Sequence, residues 1–132
     1  MGHAERSHAL LGPSGAHRWM ECPPSARLEE QFPDSTSEAA REGTLAHELA
    51  EIKVRHYFYT PDFGKRKYTT RLNKLKKEDL WQDEMERHTD EYLDYIKGTA
   101  LNLKSAPYVA IEQKLDLTAW IPEGFGTADC VM

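Results

Sequence analysis

A stripe of apolar positions at helical spacing marks the first half of the chain. It consists of Leu45, Leu49, Ile52 and His56, which follow one another at steps of three or four residues. This is the period of one face of an α-helix. The pattern predicts a helix that ends near residue 59.

Two starting points fit this helix. Ser35 followed by Glu38 matches a capping box, in which a serine side chain bonds an amide of the first turn. Gly43 costs about 1 kcal/mol relative to alanine in a helix interior. The glycine therefore indicates either close packing at that point or a later start at Thr44.

The clearest helical periodicity covers residues 78–103. Apolar and aromatic positions recur there at steps of three or four, and eight acidic residues occupy the other positions. We predict a long helix with one buried and one negatively charged face. Two shorter helices, over 15–21 and 25–31, precede the central one, and prolines end both. The apolar positions of the long helix are Trp81, Met85, His88, Tyr92, Tyr95, Ile96, Thr99 and Leu103.

The last third of the chain changes to the period of a strand. Apolar and polar residues alternate from Val109 to Leu117, and residues 121–124 are typical of a turn before a second strand over 125–131. The fold class is therefore α+β: N-terminal helices and a long helix, followed by an antiparallel β-hairpin.

The expected organisation is one incomplete domain. A loose arm covers 1–13, residues 14–103 are mainly helical, and the hairpin covers 107–132. Because a two-stranded sheet is marginal by itself, we expect the chain to be the N-terminal piece of a longer protein. Its unpaired final strand is then a site for self-association.

Charge is distributed unevenly along the 132 residues. The net charge is −5, yet residues 64–77 hold seven of the 17 basic residues and none of the 22 acidic ones. Two interpretations stay open for this basic segment: a solvated, mobile loop, or a local contact to a phosphate backbone. The nucleic-acid candidates are Lys65, Arg66, Lys67, Arg71 and Lys74.

Several classes of protein are excluded by composition. The sequence has no apolar run long enough to cross a membrane, and its start lacks the layout of a secretory signal. Two cysteines in no close pair favour neither a disulfide scaffold nor a zinc ribbon. The expected location is the cytoplasm.

Two residues are candidates for metal chemistry. His47 precedes Glu48 and lies four residues before Glu51, so the H-E-x-x-H pattern of zinc proteases fails at its last position. Asp129 follows Gly126 on the second predicted strand. An imidazole and a strand carboxylate together suit magnesium or manganese. The competing interpretations are a polar residue flanking the apolar stripe for His47 and a turn or cap residue for Asp129.

Four short motifs occur in order along the chain. They are a serine, aromatic helix and Cys-Pro over 14–23, Gly-Thr-Leu-Ala-His over 43–47, Ile111-Glu112, and Gly-Thr-Ala-Asp over 126–129. This series resembles the start of the RecB-like branch of the PD-(D/E)XK nuclease superfamily. The closest likeness is to a phage- and prophage-encoded family of unknown function in that branch.

The resemblance implies an incomplete restriction-endonuclease-like core and a role in DNA processing in a bacterial host cell. By it, His47 and Asp129 are catalytic metal ligands for Mg²⁺ or Mn²⁺. Glu112 faces away from the side of the strand that carries Val109 and Ile111, and it is either a further metal ligand or a solvated residue. Family members carry a D/E-x-K motif on the next strand, and no such strand follows Asp129 here. We therefore expect the parent protein to be a metal-dependent deoxyribonuclease and this chain alone to be inactive, with no metal bound.

Cys22 corresponds to one iron–sulfur ligand in some relatives of this branch. The other three cysteines of such a site are absent, so no cluster is expected and a buried structural thiol is the favoured interpretation. Trp19 is likewise expected in a core rather than as a base-stacking platform. Two alternatives to the enzyme stay open: a non-catalytic nucleic-acid-binding module, and a protein-interaction piece built on the 78–103 helix.

Overall fold

A computed structural model describes residues 8–33 and 35–132. The elements are a 3₁₀ turn (Pro13–Gly15), helices α1 (Ala16–Glu21), α2 (Pro24–Glu29), α3 (Glu38–Phe58), α4 (Lys65–Leu75) and α5 (Glu84–Leu101), and strands β1 (Ala110–Asp116) and β2 (Phe125–Val131). The two strands pair in one antiparallel sheet. The predicted α+β class is confirmed. Residues 1–7 of the expected N-terminal arm lie outside the described residues.

The chain divides into two compact units. The first unit comprises the residues up to Ser35 together with Glu112–Ala128, and the second comprises Thr36–Ile111 with Asp129–Met132. Each unit is described by itself below.

Helix α3 is the centre of the second unit, and its start differs from both predicted ones. The hydroxyl of Ser37 accepts a hydrogen bond of 3.1 Å from the Ala40 amide, so Ser37 and not Ser35 is the N-cap. The helix then runs through Gly43 without interruption. An added Cβ at Gly43 meets no atom within 4 Å. The glycine therefore marks neither close packing nor a helix boundary.

The apolar stripe of α3 forms the core of the second unit, as predicted. Leu49 and Ile52 are fully buried, and they cluster with Leu45, Leu75 and Met85. Burying a leucine or isoleucine side chain contributes about 1.5–3 kcal/mol. This packing holds α4 and α5 against α3.

The basic segment is a helix, so the interpretation of it as a mobile loop is wrong. Tyr68, Leu72 and Leu75 recur at steps of four and three residues, and all three pack in the core cluster. The three apolar residues bury one narrow face of α4, which leaves the lysines and arginines on its exposed remainder. The sequence contains this helical period, but the many charged residues around the three apolar ones made it hard to recognise.

Helix α5 is shorter than predicted, because it begins at Glu84 rather than near residue 78. Met85 and Ile96 are buried as expected. Between them the buried residue is Thr89, whose hydroxyl donates to the Met85 carbonyl at 2.7 Å, whereas His88 is exposed. The apolar stripe is therefore displaced by one residue in the middle of this helix.

The far end of α3 is tied down by polar contacts within the second unit. Tyr59, which caps α3, donates a hydrogen bond to the backbone carbonyl of Val109 just before β1. His56 lies with its Nδ1 atom 3.0 Å from the Phe63 carbonyl and stacks on Tyr68. Burial raises the pKa of Tyr68, and the negative charges of nearby acidic side chains raise it further.

The first unit is built around two short helices and the hairpin turn. Gly124 is required in that turn, because a Cβ there would lie 2.8 Å from the Cβ of Ile121. Gly126 permits a similarly close approach, since its added Cβ would lie 3.0 Å from Cγ of Pro13. The first unit thus packs the 3₁₀ turn directly on β2.

Among the helices of the described residues, none combines the length and the apolar character that crossing a lipid bilayer requires.

Candidate functional site

The second unit brings the two predicted metal ligands together. His47 lies on α3 and Asp129 lies on β2, and the Nε2 atom of His47 is 3.8 Å from the Oδ1 atom of Asp129. The side chain of His47 is 40% exposed and that of Asp129 is 64% exposed. Both groups are therefore accessible to a ligand from solvent.

The position of His47 on α3 explains its orientation. Core residues such as Leu45 and Ile52 occupy one side of the helix, and His47 lies roughly opposite, on the side that carries Val54 seven residues later. Val54 is only 1% exposed, and Val109 and Ala110 of the same unit are also buried. Helix α3 therefore has buried apolar residues on two sides, and His47 lies on the side that carries Val54.

Asp129 is followed by Cys130, and burial and the charge of Asp129 both affect the pKa of the Cys130 thiol. Burial raises the pKa of Cys130, and the neighbouring Asp129 carboxylate raises it further. Cys130 is a half-buried free cysteine. A neutral thiol next to Asp129 leaves the carboxylate as the negative charge at this end of β2.

Glu112, the third predicted ligand, lies on β1 in the first unit. It is half-buried, and its φ of 54° is unusual for a residue with a side chain. Such backbone strain is often found at functional positions. The assignment of Glu112 as a metal ligand stays a prediction.

The letters of the D/E-x-K motif also occur on β1, as Glu112-Gln113-Lys114. They precede Asp129, whereas the motif of the nuclease branch follows it. The positive φ of Glu112 interrupts the regular alternation of β1, so spacing alone does not place Glu112 and Lys114 on one face. The pair was not predicted, because the resemblance places the motif only after Asp129.

The His47–Asp129 pair has suitable chemistry for a hard divalent cation. An imidazole nitrogen and a carboxylate oxygen that both bind Mg²⁺ at about 2.0–2.1 Å lie about 3–4 Å apart, and the observed separation is 3.8 Å. Neither side chain is buried, so solvent can supply the remaining ligands. These residues therefore fit a cation of the magnesium or manganese type.

All five predicted nucleic-acid contacts lie exposed on α4. Lys67 donates to the Asp62 carbonyl at 2.7 Å, which fixes its side chain near the start of the helix. Arg71 and Lys74 line a cavity of about 510 Å³ within the second unit. Arg41 of α3 also lines it and pairs there with Asp79 at 3.3 Å. Glu48, Glu78 and Asp79 line the same cavity, so its lining is of mixed charge rather than cationic.

Cys22 is exposed, so its interpretation as a buried structural thiol is wrong. The residue is the C-cap of α1 and directly precedes Pro23. Trp19 is half-buried and lines a cavity in the first unit rather than filling a core.

A buried lysine was missed altogether by the sequence analysis. Lys53 of α3 is 4% exposed, and its Nζ atom donates to Asp90 Oδ1 at 2.6 Å and to the Glu86 carbonyl at 2.9 Å. Its position next to Ile52 in the apolar stripe was the available signal. Lysine is almost never fully buried unless it is paired.

The exposed apolar residues of α5 do not form one stripe. Tyr95 is 76% exposed and Leu101 is 81% exposed. They lie six positions apart, which separates them by about 120° around a helix. These residues therefore do not form the continuous apolar patch that the hypothesis of a protein-interaction piece requires.

The class of protein is thus an α+β fold in which a helix-borne imidazole faces a strand carboxylate. Residues 8–132 match the family of proteins of unknown function designated DUF2800, and the chain belongs to that family. No solved structure matches the chain.

Proposed function

We propose that this chain carries part of the metal site of a phage-type, Mg²⁺- or Mn²⁺-dependent DNA nuclease that serves DNA recombination or processing. His47 and Asp129 hold the cation. When bound, a divalent cation polarises a phosphodiester and generates a nucleophilic water. The one observation that carries the proposal is the 3.8 Å approach of two side chains that lie 82 residues apart in motifs of a nuclease branch.

Comparison with another histidine–carboxylate pair supports the choice of site. His88 Nδ1 and Glu91 Oε2 of α5 are 4.0 Å apart and are also exposed. That pair follows from the three-residue spacing on one helix. The His47–Asp129 pair, in contrast, requires a helix and a strand to meet, and local sequence spacing does not produce it.

The exposed face of α4 is the proposed contact for DNA. Its basic residues present positive charge without an acidic residue anywhere in the helix. Such a surface neutralises backbone phosphates without selecting a sequence. The nuclease proposal therefore assigns α4 to positioning and the His47–Asp129 pair to metal binding.

Metal binding is tested by titrating Mn²⁺ into the purified chain and measuring the heat of binding. His47→Ala and Asp129→Asn are each expected to weaken Mn²⁺ binding at least about tenfold, because each removes a donor atom from the ion. The matched control is His88→Ala, which removes an exposed imidazole from the other pair and is expected to leave the affinity unchanged. Glu112→Gln, measured in parallel, tests the third predicted ligand.

An equal effect of His47→Ala and His88→Ala would contradict the proposed site, since it would indicate nonspecific binding to exposed histidines. The unaltered chain is expected to bind Mn²⁺ only weakly, because the sequence analysis expects it to hold no metal by itself. A complete absence of binding, even at high Mn²⁺ concentration, would contradict the proposed site. Cleavage is a separate matter: the sequence analysis expects this chain to be inactive by itself, and metal-dependent cleavage by the pure chain would refute that expectation.

DNA binding is tested by its dependence on salt. If Arg71 and Lys74 each contact a phosphate, the double variant Arg71→Ala/Lys74→Ala should reduce the slope of log affinity against log salt by about two. Lys97→Ala is the control, because Lys97 lies on α5 over the ring of Tyr57. An unchanged slope in the α4 variant would exclude α4 as the contact.

The non-catalytic nucleic-acid-binding module remains the alternative proposal. It is supported by the same basic helix, and it differs in requiring no cation. DNA binding without Mn²⁺ binding at His47 would favour it.

A further inference from the structure

A second cavity lies wholly within the first unit. Its volume is about 490 Å³, and its walls come from the 3₁₀ turn, α1, α2 and the start of β2. Pockets for small ligands begin at about 300 Å³, so the cavity has room for one. The proposed nuclease function uses none of its residues.

One wall of the cavity is an aromatic side chain held in a fixed orientation. Trp19 is half-buried, and its indole Nε1 donates to the Gly12 carbonyl at 3.0 Å. Phe125 of β2 lines the cavity as well. Because the indole nitrogen is already bonded, Trp19 offers the cavity apolar ring surface rather than a hydrogen-bond donor.

The same cavity presents a paired donor and acceptor. Arg18 donates from Nε to Glu29 Oε1 at 2.6 Å and from Nη2 to Glu29 Oε2 at 3.4 Å. Both side chains line the cavity and remain about half exposed. The remaining guanidinium hydrogens and carboxylate lone pairs are suited to the polar edge of a planar ring.

We propose that this cavity binds a single unstacked nucleobase, with the ring against Trp19 and its polar edge on the Arg18–Glu29 pair. A flat ligand with a polar edge follows from the lining itself. The choice of a nucleobase among such ligands rests on the proposed nuclease function. Every base has a flat π-face, so stacking of this kind tolerates different sequences.

The test measures quenching of a 2-aminopurine base in a single strand of about 12 nucleotides, with EDTA present. Trp19→Ala is expected to weaken binding at least about tenfold, whereas Trp19→Phe, which retains a ring, should stay within about threefold of the unaltered chain. The control is Trp120→Ala, because Trp120 is 79% exposed and does not line the cavity. It should bind as the unaltered chain does.

Arg18→Gln keeps the inference falsifiable if Trp19→Ala fails to fold, because the Arg18 side chain is 53% exposed. The matched control is Arg27→Gln, which removes the same charge from an exposed residue that does not line the cavity. The Arg18 variant should lose about threefold to tenfold more affinity for the oligonucleotide than the control. Equal losses in the two variants would overturn the assignment of the Arg18–Glu29 pair.

Competition with dAMP and dTMP distinguishes the two sources of the base. Displacement by these mononucleotides supports a pocket for a free nucleotide, and binding of the oligonucleotide alone supports a base within a strand. Equal losses in the Trp19→Ala and Trp120→Ala variants would overturn the inference. Because EDTA removes the cation, failure here leaves the metal proposal intact, and failure of the Mn²⁺ titration leaves this inference intact.

Discussion

Helix α3 carries two polar pairs that behave differently. Lys53 and Asp90 are 2.6 Å apart, and the lysine side chain is 3% exposed. His47 and Asp129 are 3.8 Å apart, beyond hydrogen-bonding distance, with side chains 40% and 64% exposed. The two carboxylates are equally exposed, at 64% each, so the pairs differ in the buried cation and the direct contact of the first pair.

The difference follows from where each residue lies on the helix. Lys53 is adjacent to Ile52 in the stripe that α5 covers, so its ammonium group needs a partner inside the protein. His47 lies on the other side of α3, where solvent reaches it. The buried lysine makes the first pair part of the protein's stability, whereas the partly exposed side chains of the second pair can be reached by a ligand. The comparison therefore predicts that changes to the two pairs affect different measurements.

The largest effect on stability is expected from Asp90→Ala. The change leaves the Lys53 ammonium group buried with only the Glu86 carbonyl as a partner, and it should lower the free energy of unfolding by about 2 kcal/mol. The value is below that of a fully buried pair, because Asp90 is 64% exposed. Urea denaturation measures it. The control is Asp94→Ala, an exposed change one turn further along α5. A similar loss in both variants would contradict a special role of the Lys53–Asp90 pair in stability.

An increase in stability is expected from Gly43→Ala. Gly43 is inside α3 and exposed, and an added Cβ meets nothing within 4 Å. Alanine should therefore raise the free energy of unfolding by about 1 kcal/mol, the difference in helix propensity. Gly98→Ala in α5 meets the same conditions and serves as a matched variant. A decrease in the thermal midpoint of the Gly43 variant would mean that this side of α3 is covered.

The smallest effect on stability is expected from His47→Ala. An exposed histidine outside hydrogen-bonding distance of its carboxylate contributes little, so the free energy of unfolding should change by less than about 0.5 kcal/mol. The same variant is expected to lose Mn²⁺ binding. Denaturation and titration of one protein sample provide both values. A loss above about 1 kcal/mol would make His47 a structural residue and remove the distinction between the two pairs.

The helices and the hairpin could be predicted where a periodic pattern dominates its segment. Leu45, Leu49 and Ile52 form such a pattern. The alternation over 109–117 predicted β1 but not its burial, since the neighbours Val109 and Ala110 are both buried and Leu115 is exposed. The basic helix α4 was missed, because three apolar residues among seven basic ones in and beside it give a weak period. The displacement from His88 to Thr89 in α5 was also missed, since either residue satisfies the spacing and only packing against α3 selects one.

The sequence by itself determined the fold class, the central helix with its buried stripe, and the two motifs that contain His47 and Asp129. These depend on local spacing, which the chain carries wherever it folds. Tertiary structure alone decided that the buried Lys53 pairs with a carboxylate 37 residues away. It also decided that Trp19 and Ser25 line a cavity instead of a core. Contacts between distant segments depend on how whole elements pack, and a spacing rule within one element holds no information about them.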